Sequence, residues 1–286
     1  MSTIIKKARA PVRIDFAGGT TDIKPFTDTH GGAVLNATIN HYVYGTLIAT
    51  PTSTKVEYHA DIPTSSGLGT SSSMNVVWTS LVTPLKDKKE ICESVYRIEQ
   101  ATSSSRINGK QDIYASAFGG INYMEFKGDK TTVERLNLDK KTLYALEKNL
   151  VLVYSGITHL SGSSNKAAID NLLKGKNTNE LITIREIAKS MKLALLKKDL
   201  NKFADLMNQE TIARSKLSKQ TVSLELQKLI NAGKMNGAIS AKVCGSGGGG
   251  SILFYAPDSV LSSKLKKYFA KKVINFKFDH EGLRWN

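Results

Sequence analysis

The stretch PTSSGLGTSSS, residues 63–73, decides which fold the chain adopts. It places two glycines and a cluster of hydroxyl residues directly before an apolar run, MNVVWTSLV (74–82). Glycine permits a positive φ, and hydroxyl side chains are favoured at helix starts. The stretch therefore predicts a glycine turn that leads into a helix. Taken alone, it fits a turn with a serine cap as well as it fits an anion site at a helix N-terminus.

The composition is that of an ordinary globular protein with an excess of positive charge. The 286 residues are 41% hydrophobic and 23% charged, and 40 Lys+Arg against 25 Asp+Glu give a net charge of +15. This sign suits anionic ligands such as nucleotides, sugar phosphates or nucleic acid. Lysines alternate with apolar residues at helical spacing in 189–200 and 263–272, which is typical of solvated amphipathic helices. Because no nucleic-acid motif accompanies them, we expect no nucleic-acid partner.

The cysteine count and the hydropathy of the chain indicate the cellular compartment to expect. Cys92 and Cys244 are too few for a disulfide framework and give no zinc-binding spacing. No run of about 18 apolar residues is present, and MSTIIKKARAP at the start lacks the apolar segment of a signal peptide. We therefore expect a soluble, cytoplasmic protein with no membrane partner.

The order of predicted elements indicates an α+β fold. The predicted strands of the first half are 12–16, 41–50, 55–60, 120–126 and 149–157. Its predicted helices are 71–85, 88–103 and the YASAF segment. The second half is nearly all helical over 164–234, then has two strands around a glycine cluster, a helix over 258–271 and a last strand, VINFKFD (273–279). This change of pattern predicts two domains, 1–158 and 159–286.

Two glycine-rich loops need separate interpretation. The first stretch is not a Walker A loop, because Thr70 follows Gly69 where a Lys-Ser/Thr pair would be required. The cluster CGSGGGG (244–250) matches GxGxxG by spacing, but SILFY after it predicts a strand, whereas a dinucleotide-binding fingerprint opens a helix. The cluster is therefore predicted to be a loop between two strands whose main chain packs closely against a neighbour.

Two carboxylates stand out from the surface charges. Glu99 falls on the border of a helical apolar stripe formed by Ile91, Val95 and Ile98, so it can point into a cleft. Asp112 follows a turn and precedes the small and aromatic residues of YASAF. Each is a candidate functional residue, although an aspartate in such a position is also a common helix cap.

Four segments together resemble a known superfamily. They are, in order, ARAPVRIDFAGGTTD (8–22), PTSSGLGTSSS (63–73), GKQD (109–112) and GAISAKVCGSGGGG (237–250). The chain resembles the GHMP small-molecule kinases over almost its full length, and is most similar to the D-glycero-D-manno-heptose 7-phosphate kinases and related sugar kinases. The resemblance implies a two-lobed fold, with a ribosomal protein S5 domain 2-like N-terminal lobe and a ferredoxin-like α/β C-terminal lobe.

The same resemblance implies ATP-dependent phosphorylation of a hydroxyl, with Mg²⁺ as the second cofactor. Asp112 matches the catalytic aspartate of the family and Arg13 its basic partner, while Ser71 and Glu99 match the metal ligands. The residues implied in binding the ATP phosphates are Ser65, Ser66, Gly67, Leu68, Gly69, Thr70, Ser71 and Ser72, which we call the phosphate loop.

The resemblance implies that the acceptor is a small-molecule sugar or sugar phosphate, and heptose 7-phosphate is the acceptor it favours. The residues expected to bind it are Gly18, Gly19, Thr20, Asp22, Lys110, Gln111, Gly247 and Gly248, with Lys110 and Gln111 chosen for their proximity to Asp112. Galactose is disfavoured, because galactokinases carry Glu-His where this chain has Gly19 and Thr20.

Several alternatives remain open at this point. The acceptor can be another sugar or mevalonate, and the same superfamily includes lyases that act on phosphorylated mevalonate derivatives. A ligand sensor that has lost catalysis is a further alternative. The joint retention of four residues argues against it: Arg13, Ser71, Glu99 and Asp112. A homodimer is also left open.

Overall fold

The structure is a computed structural model that describes residues 3–63, 65–102, 108–157, 163–218 and 221–286. The strands are β1 (Ile4–Ala17), β2 (Gly32–Ala49), β3 (Thr54–Ala60), β4 (Ile121–Lys127), β5 (Lys130–Arg135), β6 (Leu150–Tyr154), β7 (Ser240–Val243), β8 (Ser251–Tyr255), β9 (Val273–Ile274) and β10 (Arg284–Trp285). The helices are α1 (Phe26–Thr29), α2 (Thr70–Val82), α3 (Lys88–Thr102), α4 (Gln111–Phe118), α5 (Lys140–Asn149), α6 (Ser163–Leu173), α7 (Thr178–Leu196), α8 (Leu200–Ser215), α9 (Leu224–Met235) and α10 (Ser259–Phe269).

The first sheet is antiparallel and is built around the long pair β1 and β2. Its order is β10-β1-β2-β4-β5, and β3 pairs with the second half of β2. The β1–β2 register shifts between Pro11 and Arg13 and again between Asp15 and Ala17. Such irregularities bend a strand and redirect its side chains. The two shifts flank Arg13 and Asp15. The side chains of these residues lie on the face of β1 opposite to that of the core residue Ile14 between them.

The second sheet has the order β7-β8-β6-β9 and is also antiparallel. β6 belongs to this sheet, although the division predicted from the sequence places residues 150–154 with the N-terminal half. At the other end of the chain, β10 returns to pair with β1 of the first sheet. The predicted boundary at residue 158 lies outside the described residues, so the division into 1–158 and 159–286 stays a prediction.

Helices α7 and α8 share a hydrophobic core with both sheets. One cluster of buried residues includes Phe16 of β1, Met191 of α7, Phe203 of α8 and Leu253 of β8. A second cluster joins α2, α3 and α4 to the first sheet, and a third joins α9 and α10 to the second sheet. Continuous packing across α7 and α8 fixes the two sheets relative to each other, and the site described below lies at their junction.

Most of the predicted elements are present, but the last predicted strand is wrong over most of its length. A strand was expected over 273–279, and β9 ends at Ile274. The backbone amides of Lys277 and Phe278 donate instead to the side chains of Asn40 and Glu147, at 2.7 and 2.8 Å. Because side chains accept these amides, the segment forms no continuous strand, and a single antiparallel bridge between Ile39 of β2 and Phe278 remains. Within the described ranges, no helix combines the length and apolar character needed to cross a membrane.

Candidate active site

The phosphate loop ends at an uncapped helix N-terminus. Gly67 and Gly69 adopt φ values of 74° and 75°, and Gly69 is the N-cap residue of α2 without any side-chain cap hydrogen bond. The first amides of a helix have no partner within the helix, and the helix dipole places partial positive charge there. The serine cap expected of a plain turn is not formed, so these amides are available to an anion.

Two close approaches explain why the loop needs glycine. A Cβ atom on Gly69 would lie 3.2 Å from Oδ2 of Asp112, and one on Gly67 would lie 2.9 Å from the carbonyl oxygen of Cys244. Both positions also have a positive φ, which L-residues with side chains rarely adopt. Within this loop Ser66 and Leu68 are buried, while Ser65 and Ser71 are exposed.

Arg13 and Asp112 form a two-pronged ion pair next to this loop. Arg13 donates from Nε and Nη2 to the two carboxylate oxygens of Asp112, both at 2.6 Å, and from Nη1 to the carbonyl oxygen of Gly67 at 2.8 Å. The Arg13 side chain is 5% exposed, whereas that of Asp112 is 24% exposed. Burial alone would lower the pKa of Arg13, but the charges of Asp112 and Asp15 raise it. The arginine therefore stays charged and holds a carboxylate that solvent can reach.

The 18–22 loop lies beside this ion pair and contains a buried carboxylate. Asp22 accepts hydrogen bonds from the backbone amide of Gln111 at 3.0 Å and from its side-chain amide at 3.3 Å. Burial, together with the nearby charge of Asp112, raises the pKa of Asp22 to about 6. Gly109 makes room for it, since a Cβ there would lie 1.9 Å from Oδ2 of Asp22. The sequence-predicted residues Asp22, Gln111 and Asp112 are thus brought together.

Lys110 does not face this cleft, which corrects the expectation that it would contact an anionic acceptor. Its ammonium donates to both carboxylate oxygens of Glu93 and to the carbonyl oxygen of Asp129, all at 2.9 Å, and it lies over the ring of Tyr96. The Lys110 side chain is 5% exposed. A buried ammonium with three partners has no donor left for a ligand, so Lys110 anchors the start of α4.

Glu99 is buried and faces α2, as its place on the edge of the apolar stripe suggested. Its Oε1 accepts from Ser72 at 3.2 Å and from Asn75 at 2.9 Å. Burial, followed by the charge of Asp112, raises the pKa of Glu99. Ser71, its expected partner, has no hydrogen bond to it because residues 72 and 75 share the helix face that points toward α3. No three His, Cys, Asp or Glu residues in the described ranges are grouped so as to hold a metal ion.

The glycine loop, residues 245–250, packs directly on the phosphate loop as predicted. A Cβ on Gly245 would lie 2.8 Å from the carbonyl oxygen of Gly67, and one on Gly250 would lie 2.7 Å from that of Ser66. Main chain therefore meets main chain between the two lobes. The amide of Gly248 donates to the carbonyl oxygen of Thr221 at 2.8 Å, so it already has a partner within the protein.

Gly247 lies against the same neighbour as Gly248. A Cβ on Gly247 would come within 2.5 Å of the carbonyl oxygen of Thr221. Both glycines are thus packed on the segment at 221. Their predicted part in substrate binding stays a prediction.

A group of four buried charges was missed by the sequence analysis, and we call it the buried ion network: Asp15, Lys242, Glu210 and Arg214. Lys242 donates to Oδ2 of Asp15 at 2.5 Å and lies 3.7 Å from Oε1 of Glu210. Arg214 donates to Glu210 and to the carbonyl oxygen of Gly19, both at 2.8 Å. The amide of Gly245 also donates to Asp15. The network thus links β1, β7, α8 and both loops that flank the cleft.

Part of this network left a signal in the sequence. Asp15 stands between the apolar residues of VRIDF, and Lys242 stands in AKV, so each is a charge inside a predicted strand. Charged residues are almost never fully buried unless paired, and two such charges suggest each other as partners. Glu210 and Arg214 have the i,i+4 spacing of ordinary surface pairs and gave no such signal.

The geometry suits a reaction between two anionic or polar ligands. Uncapped amides at the start of α2 favour a phosphate group, and the accessible carboxylate of Asp112 lies against the same turn. Asp22 offers a second carboxylate that can hold a hydroxyl group. A carboxylate beside a phosphate site is what transfer of a phosphoryl group to a hydroxyl requires.

Two family models match the chain on both sides of this site. The model of the GHMP kinases N terminal domain matches residues 33–120, and that of the GHMP kinases C terminal domain matches residues 191–275, which together make up more than half of the chain. The chain belongs to the GHMP kinase family. Together with the heptose phosphate kinase relatives described next, both domain matches make it an ATP-dependent sugar kinase.

Individual relatives agree with this assignment. The chain is 28% identical to a D-glycero-alpha-D-manno-heptose 7-phosphate kinase from Campylobacter jejuni subsp. jejuni, in an alignment that covers 99% of each chain. The crystal structure of a D-glycero-D-manno-heptose 1-phosphate kinase from Bacteriodes thetaiotaomicron is 26% identical with a TM-score of 0.77, again over 99% of each chain. L. major mevalonate kinase, 17% identical with a TM-score of 0.71 over 94% of each chain, shares the fold.

Proposed function

We propose that this GHMP kinase transfers the γ-phosphoryl group of ATP to a sugar phosphate, D-glycero-D-manno-heptose 7-phosphate, at its anomeric hydroxyl. The observation that carries the proposal is the Arg13–Asp112 pair beside the uncapped N-terminus of α2. The choice of acceptor is supported by full-length similarity to a heptose 7-phosphate kinase.

The phosphate loop binds the ATP phosphates in this proposal. The amides of its 66–72 portion supply hydrogen-bond donors, and the dipole of the 13-residue helix α2 adds positive potential at the same end. Gly67 and Gly69 let the main chain approach the phosphates without a side chain in between. The glycine loop supports this arrangement from below through its contacts with Ser66 and Gly67.

The oxygen atoms near the start of α2 fit a magnesium ion. Ser72 and Asn75 both hold Oε1 of Glu99, which leaves Oε2 and the exposed hydroxyl of Ser71 as oxygen donors of the kind that Mg²⁺ prefers. When bound, Mg²⁺ neutralises charge on the phosphate oxygens. We assign Glu99 and Ser71 as the residues that hold it.

Asp112 is proposed to accept the proton of the attacking hydroxyl. Its carboxylate is reached by solvent on one side and fixed by Arg13 on the other, so it is held in one orientation. Arg13 also donates to the carbonyl of Gly67, which ties the catalytic carboxylate to the phosphate loop. In phosphoryl transfer, positioning and electrostatic stabilisation account for most of the rate enhancement.

The 18–22 loop is proposed to bind the acceptor, and we call it the acceptor loop. Asp22 is bound by Gln111, the residue that precedes Asp112. This contact places a second carboxylate within reach of the sugar hydroxyls next to the reacting one. Its neighbours Gly18, Gly19 and Thr20 bring the main chain to the same edge of the cleft.

Release of ADP from Mg·ATP against a panel of acceptors tests this function. The panel contains free sugars, sugar 6- and 7-phosphates including the heptose 7-phosphate, and mevalonate, and Asp112→Asn is the control. We expect a strong response to the heptose phosphate that the control abolishes. A response to mevalonate alone would contradict the acceptor, and silence across the panel with ATP still bound would favour a sensor.

A further inference from the structure

The acceptor loop contains a residue in a strained backbone conformation. Thr20 has a φ of 77°, in the left-handed region, and it is a β-branched residue. Such residues are genuine outliers there, and they persist only where the surrounding structure holds them. The loop is therefore kept in a conformation that its own sequence disfavours.

Arg214 supplies contacts that hold this conformation. From α8, its Nη2 donates to the carbonyl oxygen of Gly19 at 2.8 Å, and its Nη1 donates to Oγ1 of Thr20 at 3.3 Å. A Cβ on Gly19 would lie 3.2 Å from Nη2 of Arg214 and 3.1 Å from the side-chain nitrogen of Gln111. The guanidinium thus occupies the space into which a side chain at position 19 would extend.

Arg214 itself is not placed to bind a ligand. It is 2% exposed, and its Nε and Nη2 also contact Oε1 of Glu210, which is fully buried. Burial would lower the pKa of Arg214, but the charges of Glu210 and Asp15 raise it, so the guanidinium stays charged. Its donors face the protein, and any effect on the reaction has to pass through the loop.

We propose that Arg214 is a positioning residue that fixes the acceptor loop and thereby sets the affinity for the acceptor. This rests on the proposed function, because it takes residues 18–22 as the acceptor-binding loop. The buried ion network holds Arg214 through Glu210 and Lys242, so the position of the loop is set by α8 and β7 in the opposite lobe.

Hydrogen exchange of the loop tests the proposal without requiring activity. The amides of Thr21 and Ile23 donate to the carbonyls of Gly18 and Thr20, so their exchange reports whether the loop is closed. In Arg214→Lys, a compact ammonium cannot span both contacts, and we expect exchange over 18–23 to become about tenfold faster. Arg185→Lys is the matched control, because Arg185 of α7 also donates to backbone carbonyls, those of His30 and Gly31, rather than to Gly19 or Thr20.

The kinetic arm measures the two Michaelis constants separately. We expect the KM for the acceptor to rise by about tenfold or more in Arg214→Lys while the KM for ATP changes by less than about twofold. Faster exchange throughout the chain with both KM values unchanged would show a merely structural role and overturn the proposal, as would unchanged exchange over 18–23. If Arg214→Lys does not fold, Glu210→Gln, which keeps the shape of the carboxylate, is measured against the same expectations.

The two proposals fail in different ways. A wild-type chain that phosphorylates no acceptor would refute the proposed function, and the exchange measurement would still decide whether Arg214 holds the loop. An active wild-type enzyme whose Arg214→Lys variant keeps its acceptor KM would refute the role of Arg214 and leave the kinase intact.

Discussion

Arg13 and Asp15 lie two residues apart on the same face of β1, yet they serve two different kinds of charged region. Arg13 holds Asp112, whose side chain is 24% exposed, beside an uncapped helix end. Asp15 binds Lys242, which has no exposed surface, and belongs to the buried ion network. One region leaves polar groups open to ligands, and the other satisfies its charges within the protein.

The difference shows that β1 contributes one residue to the reaction site and another to the buried charges that hold the fold together. In the open region, an accessible carboxylate and unpaired amides are what phosphoryl transfer needs. In the closed region, opposite charges alternate from Asp15 to Arg214, and desolvation is offset only because each charge has a partner. Substitutions in the first region should therefore act mainly on turnover. Substitutions in the second should act mainly on stability, and on acceptor binding only where Arg214 contacts the acceptor loop.

Removal of the Asp112 charge should give the largest effect and the sharpest test of the open region. We expect Asp112→Asn to lower kcat by about 10²- to 10⁴-fold, because general-base catalysis typically contributes that much. Asp129→Asn is the control, since the Asp129 side chain is 84% exposed and pairs with Lys24. Steady-state kinetics with saturating ATP measures the effect, and near-normal turnover in Asp112→Asn would contradict the assignment.

Removal of the Lys242 charge tests the closed region. Lys242→Met removes the cation that Asp15 contacts directly, while Glu210 keeps Arg214. Breaking a buried pair in this way costs about 3–5 kcal/mol of unfolding free energy. Lys24→Met, in an exposed pair with Asp129, should cost less than about 1 kcal/mol. Urea denaturation compares the two. Equal losses of unfolding free energy in Lys242→Met and Lys24→Met would contradict the distinction between the two regions.

The pKa of Asp15 adds a pH dependence to the same region. Burial would raise this pKa, but the charges of Lys242, Arg13 and Arg214 lower it below the ordinary value of 3.8. Its contribution to stability is therefore present above pH 3.8 and is lost as the pH falls through the lowered pKa. In Lys242→Met this contribution should shrink, which acid denaturation of the two proteins measures.

A glycine comparison tests where the two lobes meet at the open region. Gly67 and Gly156 have similar φ values, 74° and 78°, but a Cβ on Gly67 meets the Cys244 carbonyl while one on Gly156 meets nothing within 4 Å. Both alanine variants carry the backbone strain. Overpacking should lower the unfolding free energy of Gly67→Ala by about 1–3 kcal/mol more than that of Gly156→Ala. The KM of Gly67→Ala for ATP should also rise. Thermal denaturation and kinetics that match between the two variants would contradict the close contact.

The smallest expected effect is a change in acceptor affinity with pH. The pKa of Asp22 is about 6, so this carboxylate is ionised at pH 7.5 or so and gains a proton as the pH falls below about 6. The protonated form accepts hydrogen bonds less well, and we expect the KM for the acceptor to rise there. Asp22→Asn should have a higher KM without this pH dependence. An unchanged wild-type profile in Asp22→Asn would assign the titration to another group.

The open region was largely predicted from the sequence because its signals are local. Gly67, Gly69 and the start of α2 lie within a few residues, and Glu99 showed its orientation through helical spacing alone. Asp112 and Arg13 came from the resemblance, and the structure brings them within hydrogen-bond distance across 99 positions of sequence.

The closed region could not be predicted because its partners are distant in sequence. Asp15 and Lys242 are 227 positions apart, and pairing between two strands of different sheets leaves no periodic pattern. Lys110 was misplaced for a related reason. Proximity to Asp112 in sequence suggested the cleft. The two residues are two positions apart, about 200° around a helix, and the side chain of Lys110 turns instead to Glu93.

The central claim is tested most directly by ³¹P NMR of the chain incubated with Mg·ATP and D-glycero-D-manno-heptose 7-phosphate. The account predicts that the γ-phosphate signal of ATP is lost while ADP and a new anomeric phosphate signal appear in equal amounts, and that neither appears with Asp112→Asn. Formation of inorganic phosphate without a new sugar phosphate, or an unchanged spectrum at full binding of ATP, would contradict it.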